Sequence, residues 1–381
     1  MLYLDNSATT KTHPEVIKVM ADVMENYFGN PSSLHQKGLE AEKLLSKSRE
    51  VVARSLGVLP QEIIFTSGGT EGDNLALKGI ALAYQNRGKH IITTKIEHPA
   101  IINSCAQLEE LGFEVTYLDV DELGLVNPQD VEKNIKNETI LISVMHVNNE
   151  VGSIQPLAQI GEIIKNYPKI FFHVDAVQGF GKAPLELKEW NIDLATISGH
   201  KIHGPKGIGA LYVKKGLNLF PLFTGGGQEN NVRSGTENLP AIVGFAKACQ
   251  IAREIFVDDS KKMRLYKEKC LEILKKDFPQ IIINGPKDEK SSPYILNISV
   301  PKLQGEILLH ALEEEEVYVS TGSACSSKKD ILSPVLSAMK IDKEIMQGSI
   351  RVSFSYGVTE KDIEEFLDAL ARALKRLGKR G

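Results

Sequence analysis

Short β-branched runs alternate with longer helix-period stretches through the first two-thirds of the chain, and that alternation constrains the fold more than any other feature. Segments 62–66, 90–94, 114–120, 139–146, 170–175 and 193–198 read as strands, and several are apolar on both faces. A strand apolar on both faces has to be covered on both, which is the condition of a mostly parallel sheet flanked by helices. Helical patterns fit between the strands, for instance over 99–111 and 156–166. In such α/β sheets ligands bind in the loops beyond the carboxyl ends of the strands, so those ends are where chemistry is sought.

After about Thr236 the rhythm changes to a long helical stretch reaching Lys276, then to strands over 294–300, 317–321 and 349–355 interleaved with helices. This reads as a second, smaller α+β domain, and 381 residues suit two domains at roughly 150 residues each. The last helix opens with Thr359 and Asp362 as a capping pair and carries Ile363, Phe366, Leu367, Leu370, Leu374 and Leu377 along one stripe, which reads as core. The acidic run 313–316 and the basic residues after Leu374 read as solvated helix-end charge.

Lys plus Arg number 45 against 49 Asp plus Glu, a formal charge of −4, so there is no global basic field to attract nucleic acid. Asp5 and Asn6 stand where a signal peptide needs its apolar stretch, and no apolar run approaches the roughly 18 residues of a membrane span. A cytoplasmic protein with no membrane partner is expected. Cys105, Cys249, Cys270 and Cys325 form no CxxC pair, which argues against a disulfide framework or a zinc ribbon.

Three constellations end strands. Phe65-Thr66-Ser67-Gly68-Gly69-Thr70-Glu71 runs from a strand through a glycine turn into a helix; free N–H groups at a helix start favour phosphate, although a tight turn without ligand gives the same pattern. The spacing is neither a P-loop nor a GxGxxG fingerprint. His173-Val174-Asp175 places an acid at the end of an apolar strand, where it is costly unless it meets a cation. Ser198-Gly199-His200-Lys201-Ile202-His203-Gly204 sets a lysine directly after another strand, a place where an amine can form an imine with a carbonyl. His200 and His203 lack the HExxH or carboxylate context of a metal site, and no metal is expected. A phosphate cup, an imine-forming lysine and a buried carboxylate together describe a site for pyridoxal 5′-phosphate.

The sequence also resembles the NifS/IscS-type cysteine desulfurases of the class V aminotransferase group. The resemblance runs through Leu4-Asp5-Asn6-Ser7-Ala8-Thr9-Thr10, Gly29-Asn30-Pro31-Ser32-Ser33, residues 93–98, His146-Val147-Asn148-Asn149-Glu150-Val151-Gly152, Arg233-Ser234-Gly235-Thr236 and Gly322-Ser323-Ala324-Cys325. It implies the aspartate aminotransferase-like fold, the fold type I of pyridoxal-phosphate-dependent transferases. That fold has a large domain with a mostly parallel seven-stranded sheet and a smaller α+β C-terminal domain. The expected division is an arm over 1–15 associated with the small domain, a large cofactor-binding domain over 16–255 and a small domain over 256–381.

Carried over by position, the resemblance implies that Lys201 bears the cofactor imine, Asp175 pairs with the pyridine nitrogen and Gln178 contacts the ring's phenolic oxygen. His98 matches the histidine that stacks on the ring and moves protons, a role favoured here over simple helix capping. Gly69, Thr70, Ser198 and His200 match the phosphate cup. Thr236 matches a phosphate contact supplied by the neighbouring subunit, so a homodimer is implied. Arg351 matches the arginine that grips the substrate carboxylate, with Asn149 assisting it and lying against the cofactor.

Cys325 lies in Ser320-Thr321-Gly322-Ser323-Ala324-Cys325-Ser326-Ser327-Lys328-Lys329, a run of small polar residues with two lysines that favour thiolate. The other three cysteines read as buried hydrophobes. The implied activity is conversion of L-cysteine to L-alanine with a persulfide on Cys325. The long Ser-rich form of this segment, which the family's first group shows, implies sulfur delivery to an acceptor protein in Fe–S cluster assembly or tRNA thiolation. A selenocysteine lyase, an aminotransferase on the same fold and a non-catalytic sulfur-transfer scaffold remain as alternatives.

Overall fold

The computed structural model describes residues 1–321 and 332–378. Its twelve strands are, in chain order, β1 Leu2–Tyr3, β2 Ile63–Thr66, β3 His90–Thr94, β4 Glu114–Leu118, β5 Thr139–Ser143 and β6 Phe171–Asp175. There follow β7 Leu194–Ser198, β8 Gly209–Val213, β9 Ile282–Asn284, β10 Ile295–Ser299, β11 Val317–Tyr318 and β12 Ser349–Ser353. Seven of them form one sheet in the order β2-β8-β7-β6-β5-β3-β4. Neighbours from β7 to β4 pair in parallel, while β8 runs antiparallel to both β7 and β2. Strands β3, β5, β7 and β8 are buried along their whole length, so both faces are covered, with polar residues such as His90 and Thr139 among the apolar ones.

The six expected strands of this sheet are present, each ending within a few residues of its anticipated limits. The sequence pattern did not separate β8, which follows a glycine-rich loop, nor the three-residue β9. The expected 99–111 helix is Pro99–Glu110, and the 156–166 helix is Leu157–Ile164.

A second sheet, ordered β12-β10-β9 and fully antiparallel, belongs to the C-terminal region. The arm joins it: β1 pairs with β11, and Leu2 and Leu4 pack in the same apolar cluster as Leu296, Ile350 and Phe366. The final helix, Glu360–Gly378, is capped as anticipated, with Asp362 N–H donating to Thr359 Oγ1 and Thr359 N–H to Asp362 Oδ2. Glu313, Glu314 and Glu316 of the acidic run are exposed as expected, while Glu315 departs from that reading and takes Arg372 at 2.8 Å and Arg376 at 3.3 Å; Arg376 of the basic end also donates to Ala311 O at 2.7 Å. These charges dock the last helix onto the helix Gly305–Glu313. Among the described residues no helix is long and apolar enough to cross a membrane.

One helix of 39 residues, Leu239–Asp277, contributes Ala248 and Cys249 to the apolar core around the large sheet and Met263 and Cys270 to that of the C-terminal region. It also carries Lys267, whose buried amine donates to Ser291 Oγ, Ser292 O at 2.8 Å and Ile295 O at 2.6 Å. That loop in turn receives Ile154 N–H at Lys290 O and sends Ser292 N–H to Gly152 O, tying the C-terminal sheet to the segment around Asn149. Lys267→Met keeps the aliphatic stem but leaves three buried acceptors without a donor. We expect a loss of about 3 kcal/mol in urea unfolding. A change below ~1 kcal/mol would mean that this amine is not the clamp.

Candidate active site

The strand ends converge on one edge of the large sheet. Beyond β2, Gly68 has φ +148°, a conformation that side chains avoid, and a Cβ on Gly69 would lie 2.8 Å from Val177 Cγ2. The helix Gly69–Tyr84 therefore starts with its backbone pressed close to the next loop, and no side chain caps it. Ser198, at the end of β7, sits against these glycines, with its hydroxyl buried and without a partner among the described residues. Uncapped N–H groups beside an unpaired hydroxyl fit a phosphate, which supplies the missing acceptors and the favoured charge. Thr70 lies exposed in the first turn of this helix. His200 reaches Thr9 Oγ1 through Nδ1 at 3.2 Å, and burial together with Lys201, Lys206 and Lys182 lowers its pKa to about 4.

Lys201 ends a short turn, Gly199–Lys201, directly after β7, and its Nζ donates to Ala8 O at 2.9 Å and to Ser7 O. Asp175 closes β6 and is 5% exposed; Oδ1 accepts from Val177 N–H at 2.9 Å. Burial raises its pKa, opposed by the charges of His98 and Lys201. Gln178 Nε2 donates to Ser7 O at 2.9 Å, while its buried Oε1 has no partner among the described residues. A hydrogen-bond donor from a ligand fits there.

His98 takes the capping role that the sequence analysis ranked second, at the site's edge beside Asp175 and Lys201. It is the N-cap of the helix Pro99–Glu110, accepting Ala100 N–H at Nδ1 over 3.1 Å, and it also interacts electrostatically with Asp175 and Lys201. An Nδ1 that accepts leaves the hydrogen on Nε2, and burial lowers the ring's pKa, so the neutral form is favoured.

Arg351 lies in the middle of β12, opposite Asn297 of β10, and is 3% exposed. Nη2 meets Asp5 Oδ1 at 2.8 Å, and Nη1 donates to Asn149 O at 3.0 Å. The contact with Asn149 is thus made through its backbone carbonyl. Thr236 is exposed and makes no hydrogen bond with any described residue, but Arg233 of the same segment holds Glu71, at the start of the helix Gly69–Tyr84, with Nε–Oε1 2.8 Å. Cys325 lies outside the described residues.

Residues 2–366 match the family described as Aminotransferase class-V. The chain is 44% identical to the cysteine desulfurase IscS of Dictyoglomus turgidum over 99% of its own length and 95% of the relative's. It is 43% identical to the putative cysteine desulfurase IscS 1 of Bacillus subtilis, with 99% of each chain covered. The chain belongs to the class-V aminotransferases, among the cysteine desulfurases. Solved structures agree: a NifS-like protein superposes with TM-score 0.92 at 40% identity over 98% of this chain and 99% of that one. A NifS-like protein from Rickettsia africae gives 0.88 at 34% identity, with the same shares covered. Class-V aminotransferases are pyridoxal-phosphate enzymes as a family.

In this cysteine desulfurase several site residues went unread in the sequence. Glu97 adjoins His98; its Oε1 accepts from both Thr94 Oγ1 at 2.7 Å and Met145 N–H at 2.9 Å, and burial lifts its pKa to about 8. Asp73, one turn into the helix Gly69–Tyr84, is fully buried with Oδ1 3.7 Å from His173 Nε2, and burial and Asp175 raise its pKa. The only signal was their position: Glu97 in a Glu-His-Pro triplet and Asp73 four residues after Gly69. The arm residues Asp5, Ser7 and Ala8, which touch Arg351, Gln178 and Lys201, belong to a motif of the family resemblance, but their residue types alone did not point to these contacts.

Proposed function

We propose that the chain is a cytoplasmic, homodimeric cysteine desulfurase that binds pyridoxal 5′-phosphate, takes sulfur from L-cysteine, releases L-alanine and passes the sulfur from Cys325 to an acceptor protein. The observation that carries this reading is the meeting of Lys201, Asp175, His98 and an uncapped glycine-rich helix start on one sheet edge, in a chain that matches cysteine desulfurases from end to end.

When bound, the cofactor supplies an electron sink for the bond broken at the substrate's Cα. Gly69, Thr70, Ser198 and His200 hold its phosphate, and Asp175 holds the proton on its ring nitrogen, where a buried carboxylate and a cation offset each other's desolvation. Gln178 takes a ring substituent at Oε1, Asn149 lines the site beside Arg351, and Lys201 provides the amine that links to the carbonyl carbon. His98 covers the ring as a neutral imidazole with its hydrogen on Nε2. Arg351 orients the substrate by its carboxylate, since a guanidinium fork suits that planar group. Cys325 receives the sulfur.

The second subunit is supported by the segment around Thr236: Phe223 pairs with Arg233, and both Phe220 and Phe223 stay half-exposed, an apolar surface that a second copy covers. The acceptor belongs to Fe–S cluster assembly or tRNA thiolation, as the long Cys325 segment implies. We divide the chain at 1–15, 16–255 and 256–381, the last boundary falling inside the helix Leu239–Asp277.

The test is alanine and sulfide release from L-cysteine by the holoenzyme, followed across pH. Because burial lowers the His98 pKa below its ordinary 6.5, the ring stays neutral into mild acid, and the acid limb it contributes falls below pH 6.5. His98→Gln removes that limb. Absence of alanine from the wild-type holoenzyme overturns the reading; an acid limb above pH 6.5 that His98→Gln abolishes overturns the neutral-ring account.

A further inference from the structure

The substrate end of the site holds an excess of positive charge. Arg351 and Lys201 approach it from β12 and from the loop after β7, and Lys182, 4% exposed, adds a third basic group. No described residue accepts a hydrogen bond from the Lys182 side chain, and burial and the charges of Lys201 and Arg351 lower its pKa to about 7. Two cations and a partly charged amine in a poorly solvated pocket would, unopposed, favour ligands with two negative groups over ligands with one.

Among the described residues Asp175 faces Lys201, and the carboxylate paired with Arg351 is that of Asp5. Asp5 comes from the arm, 346 residues away in sequence, and its Oδ1 lies 2.8 Å from Arg351 Nη2. It is anchored there on Ser353: Asp5 forms a bridge with Ser353, Asn6 Nδ2 donates to Ser353 O, and Ser7 N–H donates to Ser353 Oγ. Glu150, the next acid toward Arg351, is turned to Ser333 Oγ, and burial raises its pKa, which weakens its charge. Asp5 is also less buried than the arginine it pairs with, its side chain 19% exposed against 3%.

We propose that Asp5 is a specificity-determining residue: its carboxylate on Arg351 matches the site to amino acids with a single carboxylate and repels those whose side chain carries a second. The inference rests on Arg351 being the carboxylate clamp. A second anion reaching the clamp meets Asp5 at close range, where like charges in a partly desolvated site discriminate strongly.

The experiment measures equilibrium binding of L-alanine and L-aspartate to the holoenzyme by calorimetry, in wild type, Asp5→Asn, Asp5→Glu and Arg351→Gln. Wild type is expected to bind L-aspartate at least about tenfold more weakly than L-alanine, and Asp5→Asn, which keeps an acceptor oxygen but not the charge, to narrow that ratio about tenfold. Asp5→Glu keeps the charge and retains the discrimination. A merely structural arm residue would weaken both ligands together and leave the ratio unmoved. The proposal is overturned if the ratio in Asp5→Asn stays within about twofold of wild type, if Asp5→Glu narrows it as much, or if wild type does not discriminate. Arg351→Gln separates the two levels: weaker binding of both ligands keeps the clamp whatever Asp5 does, while unchanged binding removes the clamp and the Asp5 proposal with it.

Discussion

Lys201→Ala is expected to lower alanine formation from L-cysteine by at least about 10⁴-fold, because the residue is one of a set that acts as a unit and no other amine in the site takes its place. The geometry gives the reason. Lys201 follows β7 by three residues, so its position is fixed by the sheet, and its Nζ is held by the carbonyls of Ser7 and Ala8 at the carboxyl edge where Asp175 also ends. Lys206 lies in the same loop but is exposed, and Lys182 enters from the turn after Asp175. Borohydride reduction of the wild-type holoenzyme followed by peptide mapping should place the cofactor on Lys201, and the alanine variant should carry none. A label on Lys182 or Lys206 in wild type, or turnover in Lys201→Ala within about tenfold of wild type, would assign the linkage elsewhere.

The parts of this site that the sequence made legible share one physical property. Asp175, Ser198 and Lys201 are polar groups placed where a continuous apolar strand stops, and a core offers them no partner, so a ligand or a loop has to. Strand limits were legible for the same reason: the interior strands of a parallel sheet are apolar throughout and their ends are abrupt. β8 lacked that contrast because glycines precede it, and its antiparallel course is fixed by pairing with β7 and β2 rather than by its own residues. Contacts that close over long stretches of chain were not legible. The Asp5 to Arg351 pair spans 346 residues, Lys201 to the Ala8 carbonyl spans 193, and Arg376 reaches back to Glu315, and nothing local to either partner marks the other. His98 shows a third case: its Nδ1 caps the helix, which a ring with two nitrogens can do while leaving Nε2–H directed to other chemistry.

The other large effect is expected at Cys325. Removing sulfur from L-cysteine requires a nucleophile that attacks the substrate's sulfur: an S–S bond forms, the electron pair of the broken Cβ–S bond stays on the Cβ side, and a proton taken up at Cβ gives the methyl group of alanine. A thiolate does this readily and a serine hydroxyl does not, since it is scarcely ionised near neutral pH and a poor nucleophile toward sulfur. The remaining cysteines offer no substitute. Cys105, Cys249 and Cys270 are each 0% exposed, and burial pushes the thiols of Cys105 and Cys270 up to about 12 and raises that of Cys249 as well, so all three stay protonated. Cys325→Ser should therefore retain cofactor and bind L-cysteine while alanine release falls by about 10³-fold or more, with no persulfide found by mass spectrometry. Binding and turnover separate in this variant, whereas Lys201→Ala loses both the linkage and the chemistry. A persulfide mapped to any of the three buried cysteines, or alanine release by Cys325→Ser near the wild-type rate, would mean that sulfur leaves by another route. Because their thiols are protonated and enclosed, that route would need the core around them to open, which hydrogen exchange at the helices Pro99–Glu110 and Leu239–Asp277 would reveal.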